Sequence, residues 1–390
     1  LVKINYNDII KKNNLPAVGS KIVVAMSGGV DSSVTATILH HAGYDVIGVT
    51  MLLYQSKLSS NSKTCCSGRD ISDARKVAKK LGFKHFIIDY QKEFEKSVID
   101  NFVNSYKSGQ TPIPCIKCNQ TVKFRDLLNF THSMNCNYLA TGHYVKRVEK
   151  NGKINLFQAK DKKKDQSYFL FATTQKQLNT LRFPLGDFTK EEIRKYAVYH
   201  KLNVSDKPDS QDICFIPDGD YSSFINNRLN NKVANGVIEN FDGTILGQHK
   251  GITEYTIGQR KKIGIGGISG NKKHTPLYVL KIDSKTNKII VGPKEKLASY
   301  NIYFKDLNLF TKTKNNKTFE AYVKIRSGYK KKLGKVNISK KNDSVGFVNL
   351  YEPEFGVAPG QACVFYSKSK MLIGGGWITA GELISNDNKN

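Results

Sequence analysis

The sequence predicts an α/β fold: a doubly wound parallel sheet, then a small central domain, then a C-terminal antiparallel β-barrel. Three observations carry this. Over residues 1–140, apolar runs alternate with amphipathic segments. The runs are continuous, as strands covered on both faces require. From about Asn235 the pattern changes to short alternating segments punctuated by glycine, which marks antiparallel sheet. The expected domains are residues 1–218, 219–295 and 296–390.

Ile22–Met26 and Val46–Met51 read as the first two strands. Between them, Ser27-Gly28-Gly29-Val30-Asp31-Ser32-Ser33 forms a tight turn into a helix through Val34, Ile38 and Leu39. Ile71–Leu81 is amphipathic, with Asp70 or Ser72 near its cap and Gly82 as its stop. Phe86–Tyr90 is a third strand, Phe94–Tyr106 and Val122–Phe130 are helices, and Tyr138–Thr141 is a short strand ending at Gly142-His143. Thr189–Leu202 reads as a helix and Lys207–Asp220 as a loop containing Cys214. Short β runs are expected over Tyr255–Gly267 and Leu277–Val291. Barrel strands are expected over Phe319–Ile325, Val345–Leu350, Ala362–Tyr366 and Leu372–Ile378, and disorder over Asn386–Asn390.

The formal net charge is +28 over 390 residues. Such a field attracts polyanions and favours a nucleic-acid partner. Part of the excess is a general enrichment in Lys and Asn. No apolar stretch reaches spanning length, which excludes a membrane helix, and residues 1–20 do not read as a signal peptide. Seven cysteines without a secretory signal point to a reducing, cytoplasmic setting.

The Ser27–Ser33 turn is the strongest local signal. Its glycines let backbone approach a ligand, and the amides of turn and helix start form an anion site. Ser32 and Ser33 are placed to cap the helix and to donate hydroxyls to phosphate. The Gly-Lys-Ser/Thr ending of a Walker A loop is missing; Gly328 to Gly334-Lys335 has the wrong spacing. A phosphate loop without lysine, and with Asp31 inside it, suits a Mg-bound pyrophosphate better than γ-phosphate transfer. Met51 and Gly142-His143 also lie at strand carboxyl ends, so they line the same crevice.

Two loop cysteines lie beside this ATP-type site. Cys118 closes Thr111-Pro112-Ile113-Pro114-Cys115-Ile116-Lys117-Cys118, just before a helix expected to begin near Asn119. A helix N-terminus with Lys117 and Lys123 nearby would favour the thiolate. Cys214 lies in Asp209-Ser210-Gln211-Asp212-Ile213-Cys214-Phe215. The pair invites sulfur chemistry, whereas Cys136 and Cys363 read as buried packing and Cys65-Cys66 as structural. Gly264–Gly267 reads as turns, Lys330-Lys331-Lys332 as a solvated face or a phosphate contact, and His200, His249 and His274 show no ligand spacing.

With these residues in place, the chain resembles the tRNA-specific 2-thiouridylase family, a group of PP-loop ATP-pyrophosphatases. The resemblance runs from about Lys21 onward. It rests on Ser27–Ser33, Cys65-Cys66-Ser67, Asp73-Ala74-Arg75, Pro112–Asn119, Ala140–Tyr144, Lys164–Leu170 and Phe183–Gly186. It continues through Ser210–Pro217, Tyr255–Arg260, Pro359-Gly360-Gln361 and Gly374-Gly375-Gly376. The resemblance implies ATP- and Mg²⁺-dependent adenylation of a wobble uridine, then sulfur transfer. It implies nucleotide contacts at Ala25, Met26, Ser27, Gly28, Gly29, Val30, Asp31, Ser32, Met51 and Gly142. Cys214 matches the persulfide carrier and Cys118 the nucleophile that resolves it, leaving a Cys118–Cys214 disulfide. Ile113, Pro114 and Cys115 match the segment facing the base. His143, Lys164, Asp165, Gln166, Arg326, Ser327 and Gln361 match contacts to the anticodon region of tRNA, and a sulfur-donor protein or sulfide source is implied as partner.

One departure matters. Many members carry Asp where this chain has Cys115, and Asn where it has Ile113. Cys115, Cys118 and Cys214 could therefore ligate a [4Fe–4S] cluster with an open fourth position, an alternative to the persulfide. Two rival functions fit less well. An amidating ligase would need an ammonia source, and no glutaminase pattern is present; a non-catalytic tRNA binder would not need Asp31, Cys118 and Cys214 together.

Overall fold

A computed structural model describes residues 5–54, 68–209, 212–216, 219–230, 234–265, 276–310 and 317–380. Cys65-Cys66-Ser67, Ser210-Gln211, Pro217, Gly266-Gly267, His274 and Asn386–Asn390 lie outside the described residues. Two compact units result. One takes in the chain up to Val98, then Cys115–Gly219 and Ser369–Leu372; the other takes in Ile99–Pro114, Asp220–Lys368 and the stretch from Ile373.

In the first unit, α1 (Tyr6–Lys12) precedes an alternating series: β1 (Lys21–Ala25), α2 (Val30–His41), β2 (Asp45–Leu52), α3 (Gly68–Leu81) and β3 (Lys84–Asp89). The chain then forms α4 (Gln91–Phe94), a π-helical Glu95–Ile99 and α5 (Asp100–Lys107), the last of which belongs to the second unit. Next come α6 (Pro114–Cys118), a π-helical Asn119–Asp126 and α7 (Leu127–Ser133). The hairpin β5 (Val145–Lys150) and β6 (Lys153–Gln158) follows the short β4 (Leu139–Ala140). Then come α8 (Gln175–Thr180), β7 (Leu181–Arg182) and α9 (Lys190–Tyr199).

The sheet is parallel in the order β3-β2-β1-β4-β7. β1 and β2 are buried on both faces, whereas the edge strand β3 alternates. Ile22, Val24, Val34, Ile38, Tyr196 and Leu202 share one core, so α2 and α9 cover the same face. Strand order reverses between β1 and β4, and the loops leaving both strands open at that switch point, where doubly wound sheets bind ligands.

The second unit begins its β structure after α10 (Tyr221–Arg228). β8 (Gly236–Asn240), β9 (Ile245–His249), β10 (Tyr278–Asp283) and β11 (Lys288–Gly292) form a sheet in the order β10-β11-β8-β9. A closed barrel then joins β12 (Ala298–Leu309), β13 (Thr318–Lys324), β14 (Lys332–Ile338), β15 (Gly346–Phe355), β16 (Ala362–Tyr366) and β17 (Leu372–Ile378) in the order β12-β15-β14-β13-β16-β17. The α/β sheet and the antiparallel barrel are the fold class read from the sequence.

Two local expectations are corrected. Tyr255–Ile265 contains no strand; Ile252–Glu254 is a 3₁₀ turn, and the chain then bends at Thr256–Gln259. Gln259 Oε1 accepts from Thr256 N at 3.0 Å, and this side-chain turn replaces a ladder. The second correction is at Cys118. The helix starts at Pro114, whose fixed φ and missing N–H suit a first helical position, so Cys118 lies inside a helical run and not before one.

Candidate active site

The turn after β1 is held by its own side chains. Ser32 Oγ accepts from Ser27 N at 3.1 Å and donates to the Gly29 carbonyl at 3.2 Å. It therefore closes the loop and does not cap α2: the N-cap is Gly29, with no side-chain cap. The sequence expectation that Ser32 or Ser33 caps this helix is corrected on that point. An uncapped twelve-residue helix leaves its first amides to an anion. The Ser33 hydroxyl is buried with no partner, a second unused polar group in the same turn. These features fit a bound phosphate chain.

Two glycines set the geometry. Gly28 has φ +71°, and an added Cβ would lie 2.1 Å from the Asp70 carbonyl oxygen at the start of α3. Gly142, just past β4, would bring a Cβ to 2.9 Å from Ser32 N. Only a bare backbone lets the β4 exit pass this close to the first turn of α2. Ala25 and Met26 continue the β1–β2 pairing, with Met26 N donating to Val49 O at 2.8 Å. Met51 is buried at the β2 carboxyl end. The residues from Ala25 to Ser32, Met51 and Gly142 thus meet at one end of one sheet.

Charge around the turn is organised by residues that carry no sequence signal of it. Asp31 accepts from Lys190 Nζ at 2.7 and 2.8 Å and from the Tyr144 hydroxyl at 2.7 Å. Burial, and then the Asp31 charge, push the Tyr144 phenol up. Asp209 pairs with Lys164 at 2.6 Å, Lys190 at 2.8 Å and Arg194 at 2.9 Å. Burial alone would raise the Asp209 carboxyl, but Lys164 and Lys190 outweigh it and bring it to about 2. Lys207 Nζ donates to Gly28 O at 2.9 Å, Asp70 at 2.5 Å and Asp73 at 2.8 Å, which ties the turn to α3. A lysine at a helix start or in a polar loop does not announce such a role. The one hint is Asp73, which belongs to the Asp73-Ala74-Arg75 motif.

Cys115 is exposed, Cys118 buried and Cys214 half-buried, all in this same unit. Cys118 directly precedes the π-helical turn Asn119–Asp126, a geometry enriched at functional sites. Cys214 sits on a turn closed by Ile216 N to Ile213 O at 3.0 Å, with Phe215 packed edge-on against Phe94. Among the described residues, no group of three or more His, Cys, Asp or Glu side chains is placed to hold a metal ion.

The residues matched to tRNA contacts are dispersed. His143 bonds Thr141 Oγ1 at 2.8 Å and meets Phe124 and Phe183 edge-on; burial, then Lys123, lowers it to about 3, so it is neutral. Asp165 is buried and accepts from Gln158, Ala159 N and Ser167, while Gln166 Oε1 accepts from Tyr144 N. These two order the backbone after β6. In the second unit, Gln361 Nε2 donates to Thr111 O at 2.7 Å, and Thr111 N donates to Pro359 O at 2.8 Å. The segment leading to Ile113 and Pro114 is therefore pinned to the loop before β16. Arg326 donates to Gly356 O at 3.0 Å and stacks on Tyr329, with the half-buried Ser327 beside it. Cys136 and Cys363 are buried, as expected, and burial raises the Cys363 thiol. No described helix is long and apolar enough to cross a membrane.

Known proteins align with this architecture. Residues 20–218 match a family described as the tRNA methyl transferase HUP domain, 222–293 its PRC-barrel domain, and 299–378 an aminomethyltransferase beta-barrel domain. A tRNA-specific 2-thiouridylase of Wolbachia sp. subsp. Drosophila simulans (strain wRi) is 49% identical over 360 residues, covering 92% of this chain and 94% of that protein. One from Rickettsia massiliae (strain Mtu5) is 49% identical over 368 residues, covering 94% and 98%. A solved U34-tRNA thiolase from Methanococcus maripaludis with its [4Fe-4S] cluster is 16% identical with TM-score 0.36, covering 58% of this chain and 71% of that one; it is too distant to carry an argument.

Proposed function

This chain belongs to the tRNA-specific 2-thiouridylase family and is a tRNA sulfurtransferase acting on uridine, and we propose that it works by adenylation followed by persulfide transfer. The observation that carries the two-step reading is the phosphate turn after β1 in the same compact unit as Cys118 and Cys214. The methyltransferase wording of the matched family does not decide the chemistry; a turn built for a phosphate chain suits ATP.

A uridine 2-carbonyl oxygen is a poor leaving group, and adenylation makes it a good one. The oxygen attacks the α-phosphorus of ATP. The α–β phosphoanhydride bond breaks, pyrophosphate leaves with the electron pair, and the N3 proton goes to water. The amides of the Ser27–Ser32 turn and the α2 N-terminus receive the negative charge. Mg²⁺ held by Asp31 would offset the charge on the pyrophosphate. The terminal sulfur of a Cys214 persulfide then attacks C2 and AMP departs. The Cys118 thiolate attacks the Cys214 sulfur, the persulfide bond breaks, and its electron pair forms the thiocarbonyl. A Cys118–Cys214 disulfide remains for a two-electron reductant. Reaching the base requires the uridine to leave its stack. His143 and Lys164 of the first unit, Arg326 and Gln361 of the second, and the residues Ile113, Pro114 and Cys115 are each proposed as tRNA contacts.

The test uses purified protein with ATP, Mg²⁺, a persulfide donor, a thiol reductant and tRNA, and reads nucleosides by mass spectrometry. The reading predicts 2-thiouridine with one AMP and one pyrophosphate per sulfur. Thiolation without ATP, or ATP cleaved to ADP and phosphate, would overturn it.

A further inference from the structure

Asp31 is the one carboxylate of the Ser27–Ser33 turn, and its direction is set from inside the fold. The Tyr144 hydroxyl donates to Asp31 Oδ1 at 2.7 Å. The phenol is buried and packs in the same core as Val30, Val34 and Leu185. The Asp31 side chain keeps 33% exposure, so one side of the carboxylate is held from the core while another stays open. A carboxylate oxygen is the donor that a hard divalent cation such as Mg²⁺ requires.

Tyr144 is itself pinned. Its N–H donates to Gln166 Oε1 at 2.9 Å, and its carbonyl accepts from Gln166 N at 2.9 Å. Two residues earlier, a Cβ on Gly142 would lie 3.2 Å from Asp31 Cβ, so the chain enters Tyr144 already against the first turn of α2. One residue later, the Val145 carbonyl oxygen lies only 2.2 Å from where a Cβ on Gly186 would stand. The backbone is therefore enclosed on both sides of Tyr144. The family resemblance matches Gln166 to a tRNA contact, yet its side-chain oxygen is committed to Tyr144, within the first unit.

We propose that Tyr144 is the positioning residue of the Asp31 carboxylate, and that Gln166 acts through it. The terminal torsion of an aspartate is only weakly restricted by itself. The Tyr144 hydroxyl takes Oδ1 and fixes that torsion, so Asp31 meets the divalent cation of Mg-ATP in one orientation. Gln166 thus serves the nucleotide half of the reaction and not the tRNA half. The inference rests on the ATP reading above.

The test titrates Mn²⁺, which takes the same oxygen ligands as Mg²⁺, into the protein with a non-hydrolysable ATP analogue and follows it by electron paramagnetic resonance. AMP and tRNA affinities are measured beside it. Tyr144→Phe keeps the ring and leaves Asp31 its Lys190 partner, so the fold should hold. Mn²⁺ in the ternary complex should weaken by roughly 10-fold, towards the affinity of the nucleotide alone, with AMP within about twofold of wild type. A residue that only held the fold would weaken AMP and Mn²⁺ together. Gln166→Leu should weaken Mn²⁺ by roughly threefold and leave tRNA affinity within about twofold. Gln166→Glu, which keeps an oxygen for Tyr144 N, should recover most of that loss. Unchanged Mn²⁺ affinity in Tyr144→Phe, equal losses of AMP and Mn²⁺, or a Gln166→Leu defect confined to tRNA would overturn the proposal. Should Tyr144→Phe fail to fold, the two Gln166 variants carry the test with the same outcomes. A wild-type complex that holds Mn²⁺ no more tightly than the free nucleotide does overturns the proposal as well. A folded wild-type protein that binds no nucleotide overturns the ATP reading itself, which distinguishes that failure from a failure of Tyr144.

Discussion

Alanine at Gly28 should cost far more stability than alanine at Gly29, although the residues are adjacent. At Gly28 the backbone is left-handed, φ +71°, and a new Cβ would lie 2.1 Å from the Asp70 carbonyl oxygen and 2.7 Å from its carbon. Both atoms are backbone in the first turn of α3, so neither can rotate aside. The turn or α3 must move by roughly 1 Å to restore ordinary contact. Left-handed strain contributes about 1–2 kcal/mol and overpacking about 1–3 kcal/mol, for a total of about 2–5 kcal/mol. At Gly29 the φ is −89° and the nearest atom to a new Cβ is Ser27 Oγ at 3.5 Å. Gly29→Ala should therefore cost under about 1 kcal/mol, chiefly from a poorer N-cap. Urea denaturation followed by fluorescence compares the two. A Gly28→Ala variant as stable as wild type, or a Gly29→Ala variant equally damaged, would refute the packing argument.

Other expectations follow from the charge network. Burial pulls the Lys207 ammonium down, but Asp70 and Asp73 outweigh it and hold it above the usual lysine value. Its contribution is thus complete below about pH 10 and fades as pH rises through the folded value. Lys207→Met should destabilise the protein by about 1–3 kcal/mol at pH 7 in urea melts, and the deficit should shrink above pH 10. Asp209, brought to about 2 in the folded chain, stabilises above about pH 4 and loses that contribution as pH falls towards about 2. Melts of Asp209→Asn and wild type should therefore differ at pH 6 and converge near pH 2. Gln361→Leu removes the bond to Thr111 O but leaves that of Thr111 N to Pro359 O. It should cost about 1 kcal/mol and slow thiolation more than ATP binding.

Much of the fold was legible because burial leaves a pattern in the chain. β1 and β2 show as apolar runs, and Thr189 with Glu192 is a readable capping box that opens α9. The β5–β6 hairpin was also written in the sequence. Asn151-Gly152 supplies the two positive φ values a tight hairpin needs. The π-helical Asn119–Asp126 was not legible, since hydrophobic spacing does not distinguish one extra residue per turn. The phosphate turn was readable from local composition. Lys190, Lys207 and Asp209 were not, because their roles depend on which helix packs beside which loop.

The central claim is that activation and sulfur delivery are separate steps, the first at the β1–α2 turn and the second at Cys214. Cys214→Ala with tRNA, ATP, Mg²⁺ and a persulfide donor tests it most directly, with pyrophosphate and thiouridine measured in the same reaction. The account predicts tRNA-dependent pyrophosphate release and no 2-thiouridine. Formation of 2-thiouridine by this variant, or loss of pyrophosphate release from a folded protein that still binds ATP and tRNA, would contradict it.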